Sequence, residues 1–189
     1  MDAANTWSSL AFVAAGLWIV ARRRRPGDGA EAPSAARTRV ALGVLAVGIG
    51  LGSVVQHGPA PAWNPVVHDP PLLGAYALVA ADAVADLTGR RLRTWWWLAP
   101  TLADAVLAAV SPAASIVAQG TASVVAVVAI LLRAVARPAL RPRLLTALVV
   151  LGVGALIGLV EPWGHVAWHV LAAAAIVIAA PAVGRRGTG

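Results

Sequence analysis

The sequence predicts an all-α fold: an integral membrane bundle of seven transmembrane helices, N-terminus outside and C-terminus cytoplasmic. Three observations carry this expectation. The chain of 189 residues is 59% hydrophobic, with mean hydropathy +0.77, and its apolar stretches are too long and continuous for a soluble core. All 15 of its Lys+Arg residues are arginines, and they fall in alternate connections between those stretches or at their borders, as the positive-inside rule asks. The tryptophans form two sets, Trp7, Trp63, Trp163 and Trp168 at one level and Trp18 and Trp95–Trp97 at the other, which are the two interfaces where indole rings settle.

Taken in order, the spans run over residues 5–21, 39–57, 68–88, 94–110, 113–132, 143–160 and 164–183, each near the ~20 residues that cross a bilayer core. The first span is followed by its charge, Arg22–Arg25. A cleavable signal peptide places positive charge ahead of its apolar run, so this segment is expected to stay and to leave the N-terminus outside. Pro26 and Gly27 open a flexible cytoplasmic linker over 26–36. Gly58-Pro59-Ala60-Pro61 ends the second span, Ser111-Pro112 turns between the fourth and fifth, Pro138 and Pro142 punctuate an Arg-rich loop, and Pro162 separates the last two. Each is a set of residues that breaks a helix. Residues 184–189 form a cytoplasmic tail, and the whole chain, 1–189, reads as one membrane domain.

Composition excludes several functions. With no Cys there is neither a disulfide nor a thiolate metal site. The net charge of +7 is not a nucleic-acid signal, because no basic, aromatic-laced soluble face remains to carry it. A retinal protein needs a Schiff-base lysine, and the chain has none. The Ala, Val, Leu, Arg and Gly bias points to a GC-rich bacterial genome and hence to a bacterial cytoplasmic membrane.

Polar residues are costly in a bilayer, so the few present are functional candidates. Asp2, Asn5 and Ser8 begin the first span, Ser53 and His57 finish the second, His68 and Asp69 begin the third, and Glu161, His165 and His169 surround the start of the seventh. The threading puts all of them at the outer end. His165 and His169 are i,i+4 and share a helix face, about 5–6 Å apart at Cβ, which suits two imidazoles on one ion. Three neutral imidazoles with one open position make a catalytic zinc arrangement. Asp69 is then placed to accept a proton from water and Ser53 to donate a hydrogen bond to an oxyanion. Taken singly, each residue has an ordinary structural reading: interfacial packing for the histidine pair, a dipole-stabilised helix start for Asp69, interhelical hydrogen bonding for Asn5 and Ser53. His68 is an extra ligand or a polar neighbour of Asp69.

Together, Asp2-x-x-Asn5-x-x-Ser8, Ser53-x-x-x-His57, Asp69 and His165-x-x-x-His169 resemble the motif set of the alkaline ceramidase family. That family lies within a seven-helix superfamily of metal-dependent hydrolases that also holds the adiponectin and progestin receptors and the lipases that remodel GPI anchors. The resemblance implies Zn2+ held by His57, His165 and His169, with Asp69 and Ser53 lining the catalytic water and Asp2, Asn5, Ser8 and His68 in support. It implies amide hydrolysis of a ceramide-like membrane lipid, releasing a fatty acid. The family usually has Glu at the position of Asp2, and its eukaryotic members bind calcium on an acidic segment not seen ahead of Asp2, so calcium is not carried over.

Alternatives stay open at this point. The chain could be a zinc-containing lipid receptor without turnover, a phospholipase-like ester hydrolase, or a haem carrier, although two histidines four apart suit one ion better than the two faces of a haem. Asp82 and Asp86 are expected to pair with Arg90 and Arg93 as a snorkelling cluster. Asp104 has no partner nearby in sequence and is open to pairing across helices, staying protonated or lining a polar path. The glycines of spans two and six are expected to let helices approach closely.

Overall fold

The structure, a computed structural model, describes residues 2–22, 33–160 and 163–186. It is 83% helical, and no strand occurs among the described residues. The helices are α1 (Ala3–Ser8), α2 (Leu10–Ala21), α3 (Pro33–His57), α4 (Asn64–Leu87), α5 (Trp95–Val110), α6 (Pro112–Ala136), α7 (Arg141–Ile157) and α8 (Gly164–Ala179), followed by a 3-10 turn at Ala180–Ala182. Because α1 and α2 are one rod interrupted at Ser9, the described residues form seven rods. Five of these are long and apolar enough to cross a membrane: Ala3–Ala21, α3, α4, α6 and Gly164–Ala182. The helix α5 is apolar but shorter. Its 16 residues span about 24 Å at 1.5 Å per residue.

Local chemistry sets the ends. Asp2 caps α1 by accepting the Asn5 amide at 3.1 Å, as short acidic side chains do at helix starts. The interruption at Ser9 has a side-chain cause: both Ser8 Oγ and Ser9 Oγ donate to the Asn5 carbonyl, competing with the helical ladder. At the far end of α4, Gly89 takes φ +66° and turns the chain away after Thr88, a conformation that suits glycine.

In packing, α2 lies on α3, α3 on α4, α4 on both α5 and α6, α6 on α7, α7 on α8, and α8 back on α2. The main core draws Phe12, Leu42, Ile49, Leu78, Ala172 and Val183, among others, from α2, α3, α4, α8 and the turn after it. Small residues set the closest approach. A Cβ on Gly16 of α2 would overlap the Gly43 carbonyl of α3, and one on Gly52 of α3 would lie 2.5 Å from the Val67 carbonyl and 2.6 Å from His68 Cα of α4. The outer faces of α5, α6 and α7 stay apolar and exposed, with Val106, Val110, Val117, Leu132, Val135 and Leu156 all more than half exposed.

Several sequence expectations are corrected in detail. Pro33–Ala36, assigned to the linker, are helical, because α3 begins six residues earlier than its apolar run. Arg39, read as a loop-border charge, therefore lies in the body of α3 and is buried. Asp82 and Asp86 take their ion pairs from Arg133, Arg137 and Arg186, while Arg90 and Arg93 are exposed. The cause is that both acids face α6 inside the bundle, whereas the turn at Gly89 carries Arg90 and Arg93 outward. Linker positions 26–32, Arg23–Arg25, Glu161, Pro162 and tail positions 187–189 lie outside the described residues.

Candidate metal centre

Three histidines from two helices meet at one end of the bundle. His57 closes α3, and His165 and His169 lie on successive turns of α8. One ligand nitrogen from each falls within 4.8 Å of the others. The Nε2 atoms of His57 and His165 are 3.2 Å apart, and the ring centroids are separated by 4.6 to 5.1 Å. Two nitrogens each about 2.0–2.1 Å from a tetrahedral ion lie about 3.3 Å apart. The spacing of the His57 and His165 nitrogens is that of two ligands on one cation.

The third ring is oriented by its outer nitrogen. His169 is buried, 3% exposed, and its Nδ1 lies 2.8 Å from Ser8 Oγ and 3.5 Å from Ser9 Oγ. Because both hydroxyl hydrogens go to the Asn5 carbonyl, the nearer hydroxyl, Ser8, accepts from the ring. Nδ1 then carries the hydrogen, and the Nε2 lone pair is left for an ion. A histidine ligand held this way by its other nitrogen is how metal sites fix tautomer and ring angle. The donor set of three imidazoles, one with its tautomer set, fits a divalent ion.

The start of the chain braces this arrangement. The Asp2 amide donates to the His57 carbonyl at 3.0 Å, which ties α1 to the end of α3 beside the first ligand. Asp2 also accepts from the Asn5 side-chain amide through its second oxygen. The Asn5 backbone N–H, aided by that side-chain bond, holds the Asp2 carboxyl below its ordinary value of 3.8 against the opposing effect of burial.

Ser53 and Asp69 occupy neighbouring positions on α3 and α4. Ser53 is buried, 1% exposed, one turn before His57. Asp69 is buried on the same turn of α4 that Gly52 touches through Val67 and His68. Its Oδ1 is 2.6 Å from His68 Nδ1, and His68 lies within electrostatic reach of both His57 and His169. His68 is thus a partner of Asp69 and is not one of the three clustered ligands. On its other oxygen, Asp69 accepts from Ser115 of α6 at 3.0 Å, and Ser115 also contacts Asp104 and Gln119.

Sequence reasoning missed Ser9, Ser115 and Gln119, and it left Asp104 without a partner. Two signals were available. Ser9 adjoins Ser8, and Ser115-x-x-x-Gln119 is an i,i+4 polar pair in the first turns of α6, at the level of Asp69 on α4. No protein-family model matches the chain, and no curated protein matches it in sequence.

Proposed function

We propose that this chain is a zinc-dependent intramembrane hydrolase that cleaves the amide of a ceramide-like membrane lipid. The observation that carries the reading is the convergence of three imidazole nitrogens within 4.8 Å, with Ser8 fixing the tautomer of His169.

Zinc in such a site lowers the pKa of water and polarises a carbonyl. The chain does the rest. His57, His165 and His169 hold the ion. Asp69, oriented by His68 and Ser115, accepts a proton from the attacking water and returns it to the leaving amine. Ser53 donates to the oxygen of the scissile carbonyl as charge develops there. The exposed apolar faces of α5, α6 and α7 contact lipid, so substrate arrives from the bilayer itself. The shorter helices α5 and α7 also cross, with Trp95 exposed at the end of α5 and arginines flanking both to take up the mismatch. The arginine-free end of the bundle, which holds the histidines, faces outward from a bacterial cytoplasmic membrane.

The test is His165→Ala. The native protein purified in detergent is expected to hold equimolar zinc and to release fatty acid from ceramide in a panel that includes phospholipids. The variant is expected to lose the metal and the hydrolysis together. Hydrolysis by a metal-free variant overturns the reading. Tight zinc with no turnover on any lipid assigns the chain as a binding protein instead, and release from phospholipid alone assigns it as an esterase.

A further inference from the structure

One polar group in the bundle is used by nothing above. Asp104 lies in the middle of α5, fully buried at 0% exposed, and its Oδ2 has no hydrogen-bond partner. Its Oδ1 is 2.8 Å from Ser115 Oγ. That same hydroxyl is 3.0 Å from Asp69 Oδ2 and receives the Gln119 amide at 3.1 Å.

A hydroxyl has one hydrogen to donate and two lone pairs. Gln119 takes one lone pair. The remaining hydrogen can serve one of the two carboxyl groups, so the other contact needs a hydrogen on a carboxyl oxygen. The surroundings decide which. Asp69 has a second donor in His68 at 2.6 Å, so its negative charge is shared over two bonds. Asp104 has no second donor, and an ionised carboxylate with an orphaned oxygen in an apolar interior is far costlier than a neutral one. Of the two hydrogen-bond orders that make both contacts, the one with the lower burial cost runs from Asp104 to Ser115, and from Ser115 to Asp69.

We propose that Asp104 is a positioning residue that carries a permanent proton, and that through Ser115 it keeps Asp69 ionised and correctly turned to act as base. The role of Asp69 rests on the hydrolase reading, whereas the site of the proton can be read directly. Without the carboxyl proton, Ser115 would be drawn toward Asp104 and Asp69 would lose one of its two donors. Asp104 touches neither the substrate nor the histidines, so its effect is entirely on the group it orients.

Infrared spectroscopy of the full chain in lipid nanodiscs tests this. The native protein is expected to show a carbonyl band from a protonated carboxylic acid, sensitive to deuterium exchange and absent in Asp104→Asn. Ser115→Ala removes the acceptor and is expected to shift the band; it also serves if Asp104→Asn does not fold. In hydrolysis assays, Asp104→Leu is expected to lower kcat by about 10- to 100-fold, the loss of a hydrogen bond to a charged group. Asp104→Asn, whose amide N–H donates as the acid does, is expected to recover most of it. If native and Asp104→Asn proteins have the same carboxyl bands, or if Asp104→Asn is as damaged as Asp104→Leu, the proposal is overturned. If no lipid is hydrolysed by the native protein, the function fails while the band still decides where the proton sits.

Discussion

The two ends of α4 lie at the two polar clusters of this bundle, and the clusters treat burial in opposite ways. Near its C-terminal end, Arg133 is 2% exposed and bonds Asp82 at 2.8 Å and Asp86 at 2.9 Å. Its remaining nitrogen reaches the Ala182 and Arg185 carbonyls. Arg137 and Arg186 add further pairs, and the Gly184 amide closes on Asp82. Positive and negative groups are matched almost bond for bond. About 25 Å back along the same helix, if the 17 residues from Asp86 to Asp69 rise 1.5 Å each, α4 carries Asp69 and His68 at the end of the bundle where the imidazoles of His57, His165 and His169, from α3 and α8, converge. A bundle that neutralises five charges at one end brings three imidazoles together at the other. The first arrangement is complete as it stands and holds the chain together. The second has the donor set of a metal site.

That contrast can be broken at either end. Arg133→Met should have the largest effect on folding. Leaving Asp82 and Asp86 buried without their main partner costs about 3–5 kcal/mol, read as a lowered denaturation midpoint in detergent, while zinc per folded molecule stays unchanged. A fall in metal content at unchanged stability would mean the two ends are not separate. Ser8→Ala should reverse the pattern. Freed from its outer partner, His169 can turn, and metal affinity is expected to drop by about 10- to 100-fold in a competition titration with a chelator, with little change in the denaturation of metal-free protein. Asp2 gives the smallest effect and fixes a sign. Its carboxyl is held below 3.8 by the Asn5 amide, so its capping stabilises the fold above that value and is lost as pH falls through the lower, folded value. In metal-free protein, the emission of exposed Trp7 on α1 should change only on that acid side, and Asp2→Ala should abolish the change.

Much of this was legible before any coordinates. Helix count followed from apolar run lengths, and the three-histidine end followed from the i,i+4 pair in α8 and the level at which each polar residue fell. Ser8 was found as one of the polar residues that begin the first span and as the last position of Asp2-x-x-Asn5-x-x-Ser8. Most of what escaped is pairing across helices. Arg133 is 51 residues from Asp82 and sits in a stretch that charge-counting treats as a loop border, so Arg90 and Arg93 looked nearer when they are only nearer in sequence. Asp104 and Ser115 are 11 residues apart, across the turn between α5 and α6, and no period within one helix joins them. The break at Ser9 is a competition between two side-chain hydroxyls and the backbone for one carbonyl, which hydropathy does not register.

The anchoring of both described ends has a practical side. Asp2 is hydrogen-bonded to the last residue of a ligand-bearing helix, and Arg186 is locked onto Asp82. A purification tag or fluorescent fusion joined directly at either end would pull on the histidine cluster or on the charge cluster. Reporters are better grafted into the exposed connection around Gly89 and Arg90, or separated from the termini by a long spacer, so that the label does not itself become the mutation.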